Sequence, residues 1–429
     1  MRLALGGLLA AAALLPVQTS VRIGLSGAAG VALFPGDLAL GVSALAFSVA
    51  VLRRTARVRF GSFGIALCLF LLLTLPSVAA SSSPRVSAVK WATALVYVAI
   101  ALVVVNVVDS EAALMKVLAA WNVGTAITVI IGLATIVLFY LGVAPALVAR
   151  FTSNFGSLPS GHYTRVAALF YQQQPNSLCH YLSISLLVVC ASGTVGILRR
   201  GLAIVLALGV LVVAAFTFSL GLGGIALGMG WWLAWNPAWR LSLPVRRGAL
   251  VLGLLAAAVF LVLTVVAPSS APPQIGGMPL FSFEARPSAR VVCWEAAWAQ
   301  FLAHPLVGRG VGLQPPCPDY VIATGLNVRL GDSHSMYFSL ASTQGLLGLA
   351  GFAGIVWTLL RRVLPLPPEP TPASIMAGTL TIAFVQAWFY HGFAGSFEYT
   401  RHGWFLMGLV WAAYDQLDAA RNGASPGHR

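Results

Sequence analysis

The chain has 429 residues, of which 59% are hydrophobic and only 8% are charged. Soluble domains carry about a quarter charged residues, so this composition excludes a soluble globular protein and predicts an all-α polytopic membrane protein. The formal net charge of +14 does not indicate nucleic-acid binding. Most arginines occur as short clusters between apolar runs, which is typical of cytoplasmic anchoring loops.

About twelve apolar runs are long enough to cross a membrane, since a helical span needs roughly 17 to 25 residues. In chain order they lie near residues 3–17, 28–52, 62–80, 91–108, 118–143, 177–198, 201–218, 220–236, 248–268, 336–360, 374–392 and 402–416. The division within 201–236 is the least certain, because that run is too long for one crossing and its "SLGLGG" centre can turn. The first run lacks a clear small-x-small cleavage site, so we favour an uncleaved helix over a signal peptide.

Arginine clusters orient these spans. Those that fall between alternate pairs of spans are at 53–59, 199–200, 240–247 and 361–362. Because basic residues concentrate in cytoplasmic loops, we expect all four clusters and both termini on the cytoplasmic side. Two long polar segments, at about 148–176 and 267–334, then lie outside. We divide the chain into nine spans with the first external segment (1–266), a large external loop carrying amphipathic helices (267–335), and the last three spans with a cytoplasmic tail (336–429).

The external side holds an unusual share of the basic side chains. They are His162, Arg165, Arg286, Arg290, Arg309, Arg329, His334, Arg401 and His402. Since basic residues are normally biased toward the cytoplasm, an external group of arginines predicts an anionic ligand on that face. A transporter or lipid flippase is the main alternative from another class. It is disfavoured because charged residues are rare at the centres of the predicted spans.

The large external loop contains one clear helical pattern. Pro287 suits the first turn of a helix, and Pro305 ends it. Arg290, Trp294 and Trp298 are spaced i, i+4 and i+8, so they share a face. We expect an amphipathic helix at the membrane surface with its guanidinium raised toward the lipid headgroups. Simple interfacial anchoring is the alternative role for this face.

His334 opens the tenth predicted span at its outer end. A lone interfacial histidine is usually structural, but partial desolvation favours the neutral imidazole, which can accept a proton. Position alone leaves both readings open. The one G-x-S-x-G sequence, at 423–427, lies in the polar tail after the last predicted span and not between a strand and a helix, and the chain has no H-E-x-x-H or C-x-x-C motif. We therefore predict neither a hydrolase elbow nor a metal site. A disulfide between the external Cys293 and Cys317 is a further hypothesis.

Three motifs follow one another in the same region. "TRVAALFYQQQPNSLCHYL" leads into the sixth span, and "ARVVCWEAAWAQFLAHPLVGRGVG" combines an arginine-x-x-x-tryptophan helix with a glycine-rich turn. "HS", nine residues and "GLLG" then place His334, Ser335, Gly345 and Gly348. In this order, and with the twelve-span layout, the motifs resemble the O-antigen ligase and polymerase superfamily. The resemblance covers most of residues 160–350.

This resemblance implies transfer of a glycan from undecaprenyl diphosphate to an acceptor hydroxyl. The reaction would take place on the periplasmic face of the bacterial inner membrane and need no cofactor. In it, His334 would be the general base, and Arg290 would bind the leaving diphosphate. Further substrate-binding candidates are Arg165, Arg286, Arg401 and Trp294. A ligase would use a lipid A-core sugar or another terminal acceptor, and a polymerase a fresh repeat unit. We favour a ligase because one large loop carries most of the polar residues. Membrane lipids are expected partners, and nucleic acid is not.

The chain departs from the family at one position. Many members carry an arginine at the start of the eighth span that helps to hold the diphosphate, whereas Leu220 falls at that place here. Either another arginine, such as Arg401 or Arg286, takes over this role, or the protein handles its donor differently. A divergent or inactive member of the family is the third reading.

Overall fold

A computed structural model describes residues 1–18, 21–23, 31–153, 157–158, 161–162, 164–170, 174–239, 241–268, 285–321 and 327–421. Within these ranges the chain is almost entirely helical. The helices are α1 (Arg2–Leu14), α2 (Pro35–Leu52), α3 (Gly61–Ala79), α4 (Pro84–Val107), α5 (Glu111–Tyr140), α6 (Pro145–Phe151), α7 (Pro175–Val195), α8 (Arg200–Ala215), α9 (Leu222–Trp235), α10 (Leu243–Val265), α11 (Ala289–Ala303), α12 (Met336–Val363), α13 (Pro372–Gln386), α14 (Gly392–Ala394) and α15 (Arg401–Arg421). A π-helical turn (Ala387–His391) joins α13 to α14, and a 3-10 turn (Phe397–Tyr399) precedes α15.

The all-α polytopic prediction is confirmed. In the described chain, eight helices are long and apolar enough to cross a membrane, and α1, α8 and α9 are shorter apolar helices. The twelfth predicted span corresponds to α15, which is long and mostly buried but less apolar. Each of the predicted runs therefore coincides with a helix, including the uncertain pair at 201–236, which separates into α8 and α9.

The strands are short antiparallel pairs in the connections between helices. They are β1 (Val21–Ile23) with β2 (Val31–Leu33), β3 (Thr152–Ser153) with β6 (Arg165–Val166), β4 (Ser157–Leu158) with β5 (Gly161–His162), β7 (Val266–Pro268) with β8 (Ala285–Pro287), and β9 (Asp319–Val321) with β10 (Asn327–Arg329). Two of them bear on the site. The β3–β6 pair fixes the backbone at Arg165, and the β7–β8 pair returns the chain to the start of α11.

Helices α7, α13 and α15 form the buried centre of the bundle. Polar side chains join α5 to α7 inside it, as Trp121 Nε1 donates to Ser185 Oγ at 2.8 Å and Asn122 Nδ2 to Ser192 Oγ at 2.8 Å. Interhelical hydrogen bonds of this kind fix the register of packed membrane helices. Helix α7, which enters this core from the candidate site, is thereby held in place along its length.

Charged residues at one end of the bundle are paired. Arg362 Nη2 contacts Asp415 Oδ1 at 2.7 Å and Asp418 Oδ2 at 3.0 Å, and its guanidinium lies 4.1 Å from the Trp411 ring centroid. Arg59 reaches the same Asp415, with Nη1 3.7 Å from Oδ2. The arginines of 53–59 and 361–362 thus meet at one end, which we call the arginine-rich end. That this end faces the cytoplasm stays a prediction.

Helix α12 is broken at Gly345, where the sequence pattern indicated one continuous span. Gly345 has φ 64° and ψ −161°, a conformation that is essentially restricted to glycine. A Cβ at this position would lie 2.4 Å from the carbonyl oxygen of Leu306. The break therefore requires a residue without a side chain and brings a second segment close to the helix axis.

The glycine-rich turn after α11 satisfies the backbone groups that this break leaves open. Leu346 N donates to Pro305 O at 2.8 Å, and Gly310 N donates to Thr343 O at 3.0 Å. A Cβ on Gly308, which has φ 66°, would come within 2.3 Å of the Thr343 backbone. Since buried backbone groups need partners, the turn and the broken helix depend on each other. The glycine-rich turn therefore has a structural role, because its backbone hydrogen bonds join α11 to α12.

Candidate active site

Helix α11 begins two positions later than expected, at Ala289. Ser288 caps it, accepting a hydrogen bond from Val291 N at 3.4 Å, while Pro287 still belongs to β8. The Ser288 hydroxyl also donates to Thr264 O at 2.7 Å, at the end of α10. A serine cap leaves its own backbone extended and starts the helix at the next residue, which explains the shift. Arg290 consequently lies in the first turn of α11.

Arg290 faces the interior of the protein. Its Nη1 is buried and has no hydrogen-bond partner in the described part of the chain. Burial lowers the pKa of Arg290 to about 10, and the nearby charge of Arg165 adds to this lowering, while Tyr390 and Asp332 oppose it. The side chain stays cationic at neutral pH. A buried cation with an open donor is poised to bind an anion.

Trp294, one turn further along α11, supports the loop before α12. Its Nε1 donates to Ser333 O at 2.8 Å, and its ring stacks on Phe338 with centroids 5.1 Å apart. Trp298, by contrast, is 50% exposed. The predicted exposure of this helix face is therefore wrong for Arg290 and Trp294, because α11 packs on residues 332–338. Trp294 was predicted to bind substrate, whereas its described contacts position that segment.

Cys293 and Cys317 form a disulfide with a Cα–Cα distance of 4.6 Å. It links α11 to the chain that leads into β9. The two sulfur atoms lie 3.4 and 3.7 Å from the Asp332 carbonyl oxygen. The hypothesis of a bridge between these cysteines agrees with the structure. The bridge adds a covalent tie next to the loop that carries His334.

His334 is held by an acid two residues earlier. Asp332 Oδ1 accepts from the His334 backbone N at 2.8 Å and lies 3.1 Å from its Nδ1. Asp332 Oδ2 in turn accepts from Ser396 Oγ at 3.4 Å. His334 has φ 45°, which is uncommon for a residue with a side chain and is found at functional sites. The contact with Asp332 assigns the proton of the neutral ring to Nδ1 and leaves Nε2 as a proton acceptor.

The His334 imidazole is partly exposed, with 31% of its side-chain surface accessible. Burial lowers the pKa of His334 below its ordinary value. Asp332 opposes this shift, whereas the cationic Arg290 and Arg165 reinforce it. The ring is consequently neutral at neutral pH. A neutral imidazole oriented by a carboxylate has the arrangement of a general base.

Arg165 is the third residue of the candidate site. Its Nε donates to Thr217 O at 2.6 Å and its Nη2 to Asn176 Oδ1 at 2.7 Å. Asn176 is in the first turn of α7, so that turn fixes the guanidinium. Arg165 acts electrostatically on both Arg290 and His334. The structure thus brings Arg165, Arg290 and His334 together, although they are far apart in the sequence.

Other predicted site residues lie elsewhere. Arg401 forms a bidentate ion pair with Asp37, with its Nε 2.6 Å from Oδ1 and its Nη2 2.9 Å from Oδ2, and it stacks over Phe34. This pairing places it against α2, so it does not replace the arginine expected at Leu220. The backbone of Arg286 pairs with Ala267, and its side chain lies outside the described residues, as does that of His162.

The remaining motif residues support the loop and the helix break. Ser335 is buried, and its Oγ donates to Gly392 O at 3.1 Å, which anchors the start of α12. Gly345 forms the break, and a Cβ on Gly348 would lie 2.2 Å from the Gln344 side chain. Arg309 donates to Gln300 Oε1 at 3.3 Å, and Arg329 to Cys317 O at 3.0 Å. These contacts are structural.

Sequence reasoning missed two acids at the site. Asp332 stands two residues before His334, a spacing that allows a side chain to reach the next backbone N–H, and this was the available signal. Glu398 gave no such signal. It is buried, neither carboxyl oxygen has a hydrogen-bond partner within the described residues, and burial raises its pKa to about 8. Burial therefore favours the neutral form of Glu398 at neutral pH.

Comparisons with known proteins agree with this geometry. Residues 202–353 match the family model described as O-antigen ligase, a stretch that includes Arg290, the glycine-rich turn, His334 and Gly345. No curated protein and no solved structure matches the chain. The matched stretch runs from α8 through the first part of α12 and ends beyond the "GLLG" motif. By this match, residues 202–353 are similar to the O-antigen ligase family.

Proposed function

We propose that the protein is a membrane glycosyltransferase of ligase type. It would move a glycan from undecaprenyl diphosphate to a hydroxyl of a lipid A-core sugar or another terminal acceptor. The observation that carries this proposal is the His334–Asp332 pair beside the buried, unpartnered Nη1 of Arg290. A base and an anion-binding cation side by side fit a displacement that removes a proton and releases a diphosphate.

In the proposed reaction, the acceptor hydroxyl approaches Nε2 of His334. Its oxygen attacks the anomeric carbon of the donor sugar as His334 takes the hydroxyl proton. The bond between that carbon and the diphosphate oxygen breaks, and the electron pair leaves with the diphosphate. The attack comes from the face opposite the leaving group, so the configuration inverts. Asp332 holds the ring through Nδ1 and stabilises the imidazolium that forms.

The two arginines bind the leaving group in this proposal. Arg290 offers an N–H group that no described residue uses. Arg165 is fixed by Asn176 and Thr217, which limits the reorganisation needed when charge develops. Donors that are already in place stabilise a developing oxyanion far better than mobile ones, because they need not be reoriented during the reaction.

The site is proposed to face the periplasm from the inner membrane, as the arginine clusters at the other end indicate. At that other end, Arg59 and Arg362 are paired with acids. A polymerase of the same superfamily needs the same base and the same diphosphate site. Ligase and polymerase therefore differ in the acceptor and not in these residues.

A deletion strain complemented with wild-type or His334→Ala protein tests the proposal. We expect the variant to be present in the membrane at the wild-type level and to leave glycan attached to undecaprenyl diphosphate. Long stranded chains would identify a ligase, and single stranded repeat units a polymerase. A wild-type glycolipid pattern in the His334→Ala strain would refute the catalytic role of His334.

A further inference from the structure

Two histidines are stacked in the core behind the candidate site. His180 on α7 is 4% exposed, and His391 in the π-helical turn is fully buried. Their ring centroids are 3.8 Å apart with an interplanar angle of 46°. Short π-helical segments within membrane helices are frequently found at functional sites. His180 falls near the end of the motif that leads into the sixth span, where no role was assigned to it, and His391 lies outside the motifs.

Hydrogen bonds fix the orientation of His391. Ser183 Oγ donates to His180 O at 2.7 Å and accepts from Gln386 Nε2 at 3.1 Å. Its remaining lone pair faces His391 Nε2 at 2.8 Å. His391 must therefore donate from Nε2, which leaves its Nδ1 as an acceptor. Ser183 and Gln386 thus hold His391 in one tautomer and one position.

His180, by contrast, has no hydrogen bond from either ring nitrogen to the described residues. His391 Nδ1 and Gln386 Oε1, its neighbours, are also buried without a partner in this part of the protein. Buried polar atoms in native proteins are normally satisfied by protein, water or a ligand. A cluster of four such atoms is therefore unlike the rest of the core. His391 Nδ1 and Gln386 Oε1 only accept hydrogen bonds, which buried water can donate, whereas the ring N–H of neutral His180 is the donor that an anion can use.

The histidine pair is joined to the His334 loop through one short segment. Directly after His391, Gly392 O accepts from Ser335 Oγ, and Ser396 Oγ donates to Asp332. His180 also shares a face of α7 with Asn176, four residues earlier, which holds Arg165. Arg290 and His334 both lie within electrostatic reach of His180. The pair therefore adjoins both the His334 loop and the turn of α7 that holds Arg165.

We propose that His180 donates a hydrogen bond to the lipid-side phosphate of the donor, and that His391 positions it. This inference rests on the proposed function. One turn of α7 separates His180 from Asn176 by about 6 Å along the helix axis, which is comparable to the length of a diphosphate. The sugar-side phosphate would lie between Arg290 and Arg165. The positive charges of Arg290 and Arg165 favour an anionic occupant over a neutral sugar.

Gly395 controls the space next to His180. A Cβ on Gly395 would lie 2.2 Å from His180 Cε1 and 2.6 Å from its Nε2. The backbone at Gly395 is extended, with φ −172°, so an alanine is compatible with it. Gly395→Ala therefore displaces or covers the His180 ring without removing it. This gives a second way to test the proposed contact.

The test uses full-length protein in nanodiscs that lack polyprenyl lipids. Binding of undecaprenyl diphosphate, undecaprenyl monophosphate and undecaprenol is measured for each variant. We expect His180→Phe to bind both phosphates about tenfold to a hundredfold more weakly, because a hydrogen bond to a charged group is lost. His180→Gln, which keeps an N–H donor, should stay within about threefold of the wild type. Gly395→Ala should weaken binding by about tenfold or more.

His402→Phe is the matched control. His402 is also buried with an unpartnered Nδ1, but its ring packs edge-on against Phe170 and Tyr181. Wild-type phosphate binding by His402→Phe, with weakened binding by His180→Phe and Gly395→Ala, supports the proposal. Wild-type binding by all of these variants, with loss of binding in Arg290→Gln, shows that the pair holds only internal water and overturns the inference alone. Equal wild-type affinity for undecaprenol and undecaprenyl diphosphate overturns the proposed function and this inference together. Should His180→Phe fail to fold, His180→Gln and Gly395→Ala decide between these outcomes.

Discussion

Arg362 at the arginine-rich end and Arg290 at the site end are used in opposite ways. At the arginine-rich end, Arg362 and Arg59 meet Asp415, and Asp418 adds a further carboxylate to Arg362. At the site end, Arg290 keeps a buried Nη1 with no partner among the described residues. Paired charges stabilise a fold, whereas a buried donor left open costs free energy unless a ligand completes it. The difference supports the proposal that an anion binds beside Arg290.

Removing the carboxylate beside His334 should cause the largest loss. We expect Asp332→Asn to lower the rate of glycan transfer by about 10² to 10⁴, because the amide lacks the negative charge that stabilises the imidazolium and favours the Nδ1–H tautomer. Asp415→Asn at the arginine-rich end should leave the rate within about threefold. The measurement is transfer rate in membranes at matched protein levels. Equal losses of transfer in Asp332→Asn and Asp415→Asn would contradict the proposed difference between the two sites.

The pH dependence sharpens the same prediction. Transfer needs neutral His334, so the rate should rise with pH through the His334 pKa and then reach a plateau. That pKa is lowered by burial and the two arginines and is partly restored by Asp332. Asp332→Asn removes the restoring charge, so its acidic limb should move to lower pH while its plateau falls. A limb that moves to higher pH would contradict the assignment.

Replacing one arginine at each end with glutamine compares the open donor of Arg290 with the paired charge of Arg362. Arg290→Gln should reduce transfer by about 10² to 10³, the usual effect of losing one donor to a developing oxyanion. Arg362→Gln should keep transfer within about threefold but lower the midpoint of thermal unfolding, because it leaves Asp415 and Asp418 less well paired. Transfer rate and unfolding midpoint are measured on the same preparations. A large loss of transfer in Arg362→Gln at wild-type stability would remove the distinction.

The disulfide at the site end should contribute stability. Replacing Cys293 and Cys317 together with serine should destabilise the protein by about 2–4 kcal/mol, since the unfolded chain gains freedom. The same substitution loosens the tie between α11 and the His334 loop, so transfer should fall as well. Thermal unfolding and transfer are compared with those of Cys190→Ser, a free cysteine within α7. Identical unfolding midpoints for the three proteins would show that the bridge has no such role.

The smallest effect is expected at the break in α12. Gly345→Ala should destabilise the protein by about 1–3 kcal/mol, because its backbone conformation excludes a side chain. Gly354, in the same helix toward the arginine-rich end, has nothing within 4 Å of a Cβ. Gly354→Ala should therefore be neutral or slightly stabilising. A destabilised Gly354→Ala beside an unaffected Gly345→Ala would show that the break is not needed.

The positions of the spans were predictable because twelve apolar runs are separated by prolines, polar stretches and arginines. The break at Gly345 was not, since hydropathy does not record a backbone conformation. The resemblance predicted that Arg165, Arg290 and His334 belong to one site, because the family's motifs indicate which distant residues act together. The destination of Arg401 was unpredictable, because its partner Asp37 is hundreds of residues away in the chain. The stacking of His180 on His391 was unpredictable for the same reason, because only the folded chain brings the two rings together.

The most direct test of the central claim is transfer by purified protein in nanodiscs, with a lipid-linked glycan donor and acceptor extracted from the deletion strain. His334→Gln keeps a polar side chain but cannot act as a base near neutral pH. We predict that it binds the donor within about threefold of the wild type and transfers glycan about 10² to 10⁴ times more slowly. Transfer within about tenfold of the wild-type rate would contradict the account, because the proton would then be taken by another group.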